Sequence, residues 1–268
     1  MDKVIRQLER IRKYSNLISI GKRVSKVYVY KYMTLNTAVT CLNKNTFMFS
    51  IPPTWKDPYE SRFYNADYHQ VEKNPFDKRL FACCVTENKL SESAWRMYTD
   101  EPNEPCVKFC ICIGQLRRYL NVYAKLHGAT LYEGRINYSL NDSDIDGLHL
   151  RSSAYYHSFF DNFGLPEYLN LMLLKRHLFY YEGEIRYLFM GGSLDFLNEH
   201  LFIEIPWSMC LRKISIDAQN PADEEALREA LEKNYDYCMH KYSLQYKQYV
   251  PIELENIYKP FKPITIEK

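Results

Sequence analysis

The sequence predicts an α+β fold built on a mixed, mainly antiparallel sheet with helices packed around it. Three observations predict it. Short β-branched and aromatic runs recur along the chain, as in Val27–Tyr32, Leu80–Val85 and Val107–Ile113. Stretches with helical spacing lie between them, as in Gly114–Lys125 and Leu165–Phe179. The two kinds of element intermix without a regular βαβ rhythm, which argues against a doubly wound parallel sheet.

Taken in order, residues 4–14 place Val4, Ile5, Leu8 and Ile11 on one helical face, and Gly21 marks a break. This opening segment, 1–26, is expected to be a basic amphipathic helix: its eight lysines and arginines, with Lys31 just beyond, face only Asp2 and Glu9. Such a face suits a solvated surface, or contact with a phosphate backbone or an acidic partner. A single α+β domain is expected over 27–256, and a tail over 257–268. Val27–Tyr32 predicts a strand, and Thr34 caps a helix that turns Leu35, Val39 and Leu42 inward. Phe47–Ile51 is a second strand, stopped by Pro52-Pro53. Leu80–Val85 is a third, Ser91–Tyr98 has helical spacing, and Val107–Ile113 is a further strand before the Gly114–Lys125 helix. Another strand is expected over 130–138 and a loop over Asn141–Gly147. Leu165–Phe179 predicts a helix with Pro166 in its first turn. Ile185–Met190 is a strand ended by Gly191-Gly192. Leu201–Ile205 and Cys210–Ile216 look like paired strands. Asn220-Pro221 followed by Asp223, Glu224 and Glu225 predicts a helix start, with Asn220 as cap, Pro221 in the first turn and acids where the helix dipole favours them. That helix is expected to end near Asn234, with Tyr235–Tyr242 and Tyr246–Ile252 as closing strands.

Composition bounds the function classes. Hydrophobic residues are 46% and charged residues 25% of 268, enough apolar material for a proper core. A net charge of +2 argues against a dedicated non-specific nucleic-acid binder. No apolar run reaches membrane-spanning length and no secretory pattern is visible, so a cytoplasmic chain with no membrane partner and reduced core cysteines is expected. There is no phosphate loop, dinucleotide glycine fingerprint, His-Glu-x-x-His or paired zinc-type cysteine spacing, so neither a metal nor a tightly bound cofactor is expected.

Three groups of residues could carry chemistry. In Tyr181-Glu182-Gly183-Glu184-Ile185-Arg186-Tyr187, a strand would put Glu182, Glu184 and Arg186 on one face and Ile185, Tyr187 and Phe189 on the core side. An adjacent arginine keeps a carboxylate ionised, and an ionised carboxylate on a rigid strand can stabilise a cationic transition state. The same pattern also fits an exposed ion-pair ladder on the wet face of a sheet. Trp55, Asp57 and Glu60 share a loop that could wall a pocket, or simply turn at Asp57-Pro58. Trp95 and Tyr98, on neighbouring turns, could stack on a flat ring or pack into the core.

At these residues the chain resembles a bacterial family catalogued as domain of unknown function 2971. The likeness runs over about 27–250. It takes in the strand ending Tyr30-Lys31-Tyr32, then Asp57, Pro58 and Glu60. It continues through Cys84-Val85-Thr86-Glu87, Trp95 with Tyr98, and Lys175, Phe179, Glu182, Glu184 and Arg186 at family spacing. Trp55, Lys56, Tyr59, Thr86 and Phe179 depart from its usual residues. The order of strands, with a late Glu-x-Glu, is also distantly similar to the ADP-ribosyltransferase layout, although the first strand lacks the His or Arg that many members use. That similarity implies NAD as substrate and Glu184 as the glutamate that holds the nicotinamide ribose. It implies Glu182 orienting the acceptor, with Arg186 beside them. Tyr30 or Tyr32 would line the ribose and Trp95 or Tyr98 would stack on a ring; the loop residues Trp55, Asp57 and Glu60, and Lys175 of the family motif, are the further ligand-binding candidates. Three expectations stand together: an NAD-consuming transferase or glycohydrolase, such as a toxin or defence effector; a non-catalytic nucleotide- or partner-binding module of a bacterial defence or stress system; and a nucleic-acid-directed effector using the basic opening segment. The protein or nucleic-acid acceptor stays open.

Overall fold

A computed structural model describes residues 17–20, 26–55, 57, 60, 80–89, 92–97, 104–140, 168–169, 172–221, 223–243 and 249–256. In chain order the elements are β1 (Leu17–Ile20), β2 (Tyr28–Thr34), α1 (Leu35–Lys44), β3 (Thr46–Ser50), β4 (Leu80–Thr86), α2 (Glu92–Met97), β5 (Cys106–Cys112), α3 (Ile113–Leu126), β6 (Thr130–Arg135), β7 (Asn137–Leu140), β8 (Leu174–Arg176), β9 (Glu184–Met190), β10 (His200–Glu204), α4 (Trp207–Cys210), β11 (Leu211–Asp217), α5 (Glu224–Tyr242) and β12 (Ile252–Glu255), with short 3-10 turns at Pro52–Thr54 and His177–Glu182. The fold is α+β, as the intermixed pattern predicts.

Among the described residues, ten strands form one mixed, mostly antiparallel sheet in the order β1-β6-β9-β4-β2-β5-β11-β12, with β3 joined to β4 and β10 to β3. Only β1 with β6 and β11 with β12 run parallel in it. On its far side from β9, strand β4 meets β2 at Tyr30↔Thr86 and β3 at Ser50↔Ala82, so the sheet forks there. The Lys31 ammonium reaches into the fork and donates to the Cys84 carbonyl at 2.8 Å, giving a backbone oxygen at the fork a partner.

One face of the sheet carries the main core. Ile185, Tyr187 and Phe189 of β9 meet Val29, Phe81, Val107 and Ile214, under Leu42 of α1, Leu116 and Leu120 of α3, and Leu227 and Leu231 of α5. The opposite face has two smaller clusters. One packs Tyr168, Leu169, Met172 and Leu173 on Leu188, Met190 and Tyr132; the other gathers Tyr30, Tyr32, Trp95, Cys106 and Cys110.

Several local expectations give way to tertiary structure. Leu17–Ile20, placed before the domain by its sequence, is a strand paired to Leu131–Gly134; residues 1–16 and 257–268 lie outside the described residues, as does the 141–147 loop. The Leu165–Phe179 helix is helical at Tyr168, Leu169 and Met172 but not beyond. Leu174–Arg176 instead pairs with β7, and the chain then turns through 177–182. Strand pairing and the ion pairs of Lys175 and Arg176 outweigh helical spacing there. β10 and β11 do not pair with each other; β10 lies on β3, and β11 between β5 and β12. α5 runs past Asn234 to Tyr242, so Tyr235–Tyr242 is not a strand. Asn234 is fully buried and satisfied: its amide oxygen accepts from Ser208 N at 2.8 Å and its nitrogen donates to Asn45. Tyr235 and Cys238 carry the helix's buried stripe onward. The closing strand begins at Ile252, later than Tyr246. No helix among the described residues is long and apolar enough to cross a membrane.

Candidate functional site

β9 sits between β6 and β4 with every residue buried. This overturns the exposed-ladder account of its polar face. The side chains of Glu184 and Arg186 point away from the main core, and Tyr168, Leu169, Met172 and Leu173 pack on the face they occupy. Gly134, opposite Arg186 on β6, leaves the room: a Cβ there would collide with the Leu173 side chain.

Glu182 is not on the strand. The chain turns at Gly183, whose φ is 53°, and Glu182 ends the preceding 3-10 turn. A Cβ at residue 183 would also lie 2.7 Å from the Asn88 amide nitrogen. The turn is held by Thr86, whose hydroxyl donates to the Glu182 carbonyl, and by Asn88, whose amide donates to the Tyr181 carbonyl. Two acids predicted to lie side by side on one strand therefore approach from two elements.

They meet at a common lysine. Lys175 Nζ lies 2.6 Å from Glu182 and 3.1 Å from Glu184, and Glu60 lies 3.7 Å away. Arg186 Nε donates to Glu184 at 2.6 Å, its Nη1 donates to the Met172 carbonyl at 2.7 Å, and its Nη2 pairs with Glu60. Trp55 covers the guanidinium at 4.4 Å, and the Tyr138 hydroxyl accepts from Glu184 N at 2.8 Å. Asp57 does not join this network; it pairs with the neighbouring Arg176 at 3.4 Å. Three carboxylates and two cations are thus closed together, and Glu184 is only 4% exposed.

The surroundings separate the two acids. Burial alone would raise the Glu184 carboxyl, but Arg186 and then Lys175 outweigh it and hold Glu184 well below the usual carboxylate range. Burial pushes Glu182 up to about 7, against the pull of Lys175, and the charge on Glu184 adds to the rise. Burial disfavours charge on Lys175 too, yet the three glutamates hold it above its ordinary value.

Tyr30, Tyr32 and Trp95 share this face but not the network. The register Tyr30↔Thr86↔Glu184 sets Tyr30 in line with Glu184 two strand spacings away, about 10 Å. Trp95 packs edge-on against Tyr32 at 5.0 Å, and all three rings surround the ammonium of Lys108. Each ring is buried, so the rings are core-packed around a lysine and present no free stacking surface. Tyr98 lies outside the described residues.

Sequence reasoning missed Lys31, Lys108, Tyr138 and Arg176. Lys31 and Lys108 had a signal, since each is a lone cation inside an otherwise apolar strand; Tyr138 had none. No group of His, Cys, Asp and Glu among the described residues could hold a metal ion. A groove of about 570 Å³ lies elsewhere, between α5 and the stretch Tyr249–Ile252. It is lined largely by surface charges, among them Glu225, Arg228, Glu229 and Glu232, and none of the network residues lines it.

No family model matches the chain, and neither a curated protein nor a solved structure matches it.

Proposed function

We propose that the Glu182–Glu184 pair acts at an N-glycosidic bond, with NAD as the candidate substrate. One observation carries the proposal. Two carboxylates share Lys175, yet their surroundings push them apart, one held ionised and the other titrating near 7. That division suits bond cleavage through an oxocarbenium-like state. The C–N bond breaks and its electron pair leaves with neutral nicotinamide. Ionised Glu184 stabilises the sugar cation. Glu182 takes the proton from the acceptor hydroxyl or water as the new C–O bond forms. Arg186 and Trp55 position Glu184.

Since Glu184 is buried beneath Lys175, catalysis requires the 174–182 segment to move aside when substrate binds. The same closure favours a second reading, a binding module of the kind that senses a nucleotide or partner without turnover. The two separate on the pH dependence of nicotinamide release from NAD. As an enzyme, the chain turns over faster as pH rises through 7, and Glu182→Gln removes that limb. Folded protein that binds NAD without releasing nicotinamide supports the module; folded protein that neither binds nor cleaves NAD refutes both readings for this substrate.

A further inference from the structure

The other cluster on this face does not depend on the proposed chemistry. Lys108 is fully buried in the middle of β5. Its ammonium lies 5.2–5.7 Å from the ring centres of Trp95, Tyr32 and Tyr30, an aromatic cage for a cation. It donates to the Lys89 carbonyl at 2.9 Å and pairs with one oxygen of Glu255 at 2.5 Å. Three buried polar atoms around it have no partner among the described residues: Trp95 Nε1, Ser215 Oγ and the second oxygen of Glu255. Ser215 is the cross-strand partner of Lys108, and Tyr32 is its partner on the other side, so these groups share one face of the sheet. Trp95 and Ser215 are 2% and 0% exposed, so water does not readily satisfy them.

The donors outnumber what Glu255 uses. The ammonium, the indole N–H and the hydroxyl belong to residues that share this face, and of the three only the ammonium is paired, to one Glu255 oxygen and the Lys89 carbonyl. The wider charge balance points the same way. Lys213 flanks the cluster and pairs with Glu253 at 2.7 Å, and the charge of Lys89 also acts on Cys110 and Glu253. The carboxylates that answer Lys108 and Lys213 therefore both come from β12, a four-residue strand that among the described residues pairs with β11 alone. Without β12 the cluster would keep the Lys108 ammonium and its unused donors, with the buried Asp217 two residues along β11 as the carboxylate that remains on this face. Burial lowers the Lys108 ammonium against the support of Glu255, so a better-placed anion has stabilisation to supply.

We propose that Lys108, Trp95 and Ser215, walled by Tyr30 and Tyr32, form a binding pocket for a phosphate or carboxylate group, and that Glu255 occupies it as a built-in stand-in which the ligand displaces. Displacement of Glu255 loosens β12 from β11, so occupancy of the pocket is coupled to the closing strand. A tethered competitor acts at an effective concentration in about the millimolar range, so free anions compete only when abundant unless they use the spare donors as well.

The test follows the indole N–H resonance of Trp95 in isotopically labelled protein, assigned by its loss in Trp95→Phe. Inorganic phosphate and acetate are titrated separately into wild type, Glu255→Gln and Lys108→Met. The expected result is a saturable shift in wild type, half-saturation at about tenfold lower anion in Glu255→Gln, and no shift in Lys108→Met. A response to phosphate alone identifies a phosphate ligand, and an equal response to acetate a carboxylate. No shift in Glu255→Gln with either anion overturns the proposal, as does a shift that survives Lys108→Met, which would mark an adventitious ion. The Trp55 and Trp207 indole signals report whether each variant is folded. Should Lys108→Met not fold, the comparison of wild type with Glu255→Gln decides alone: equal affinities overturn the stand-in role.

Discussion

Replacing Arg186 with methionine tests how the buried network holds together. The guanidinium is 1% exposed and serves Glu184, Glu60 and the Met172 carbonyl, with Trp55 against its face. Methionine keeps much of the volume but removes the charge and the donors. Glu184 is then left in a buried position, hydrogen-bonded to Lys175 at 3.1 Å but without its closest cation. Breaking a buried pair from one side costs about 3–5 kcal/mol, because an uncompensated charge stays behind. At about 2–4 °C per kcal/mol for a chain of this size, the melting temperature should fall by about 6–20 °C. Adding Glu184→Gln removes the stranded charge, so the double variant should be more stable than Arg186→Met alone even though it carries more changes. The assay is thermal or urea unfolding of wild type, both single variants and the double. A melting temperature within about 2 °C of wild type for Arg186→Met, or a double variant whose loss is the plain sum of the singles, would refute the buried coupled network.

Further outcomes follow from the same geometry. Glu182 has its carboxyl raised from 4.5 to about 7 in the folded chain, so the native state holds a proton that the unfolded state has released between those values. Its contribution to stability is fully present below 4.5 and is lost as pH rises to about 7; unfolding curves of wild type and Glu182→Gln across that window should show a steeper decline in wild type, and parallel curves would contradict it. Gly183→Ala forces a φ of 53° on a residue with a Cβ and crowds Asn88, so a loss of about 1–3 kcal/mol is expected in denaturant unfolding. Asp223 caps α5 by accepting from Ala226 N at 3.2 Å, and Asp223→Ala should cost about 1 kcal/mol by the same assay while leaving the Lys175 network intact.

The fold class, most strand positions, the start of α1 and the approximate start of α5 were legible in the sequence because each rests on local chemistry. Thr34 caps α1 as read, whereas α5 starts at Glu224 with Asp223 as its cap, three residues after the Asn220 cap that the sequence suggests, and β-branched runs extend where period-two packing favours them. The misreadings have a common cause. Leu174–Arg176 and Tyr235–Tyr242 took the conformation set by distant partners rather than by local spacing. Of the site, Glu184, Arg186, Lys175, Glu182 and Glu60 were named from sequence, and the fold brings all five together. Sequence did not show that Glu182 arrives from a turn, because one αL residue at Gly183 undoes the strand alternation. It did not show burial, because the cover comes from Tyr168, Leu169, Met172 and Leu173. Lys108 was passed over because a single lysine in an apolar strand says nothing about three rings that reach it from other elements.

The central proposal turns on whether Glu184 meets a nucleotide at its glycosidic bond. The direct measurement is nicotinamide released from NAD by the purified chain and by Glu184→Gln, with circular dichroism and melting curves confirming that both are folded. The account predicts release by wild type and a loss of at least about a hundredfold in the variant. Absence of release by folded wild type, or equal release by folded Glu184→Gln, would contradict it.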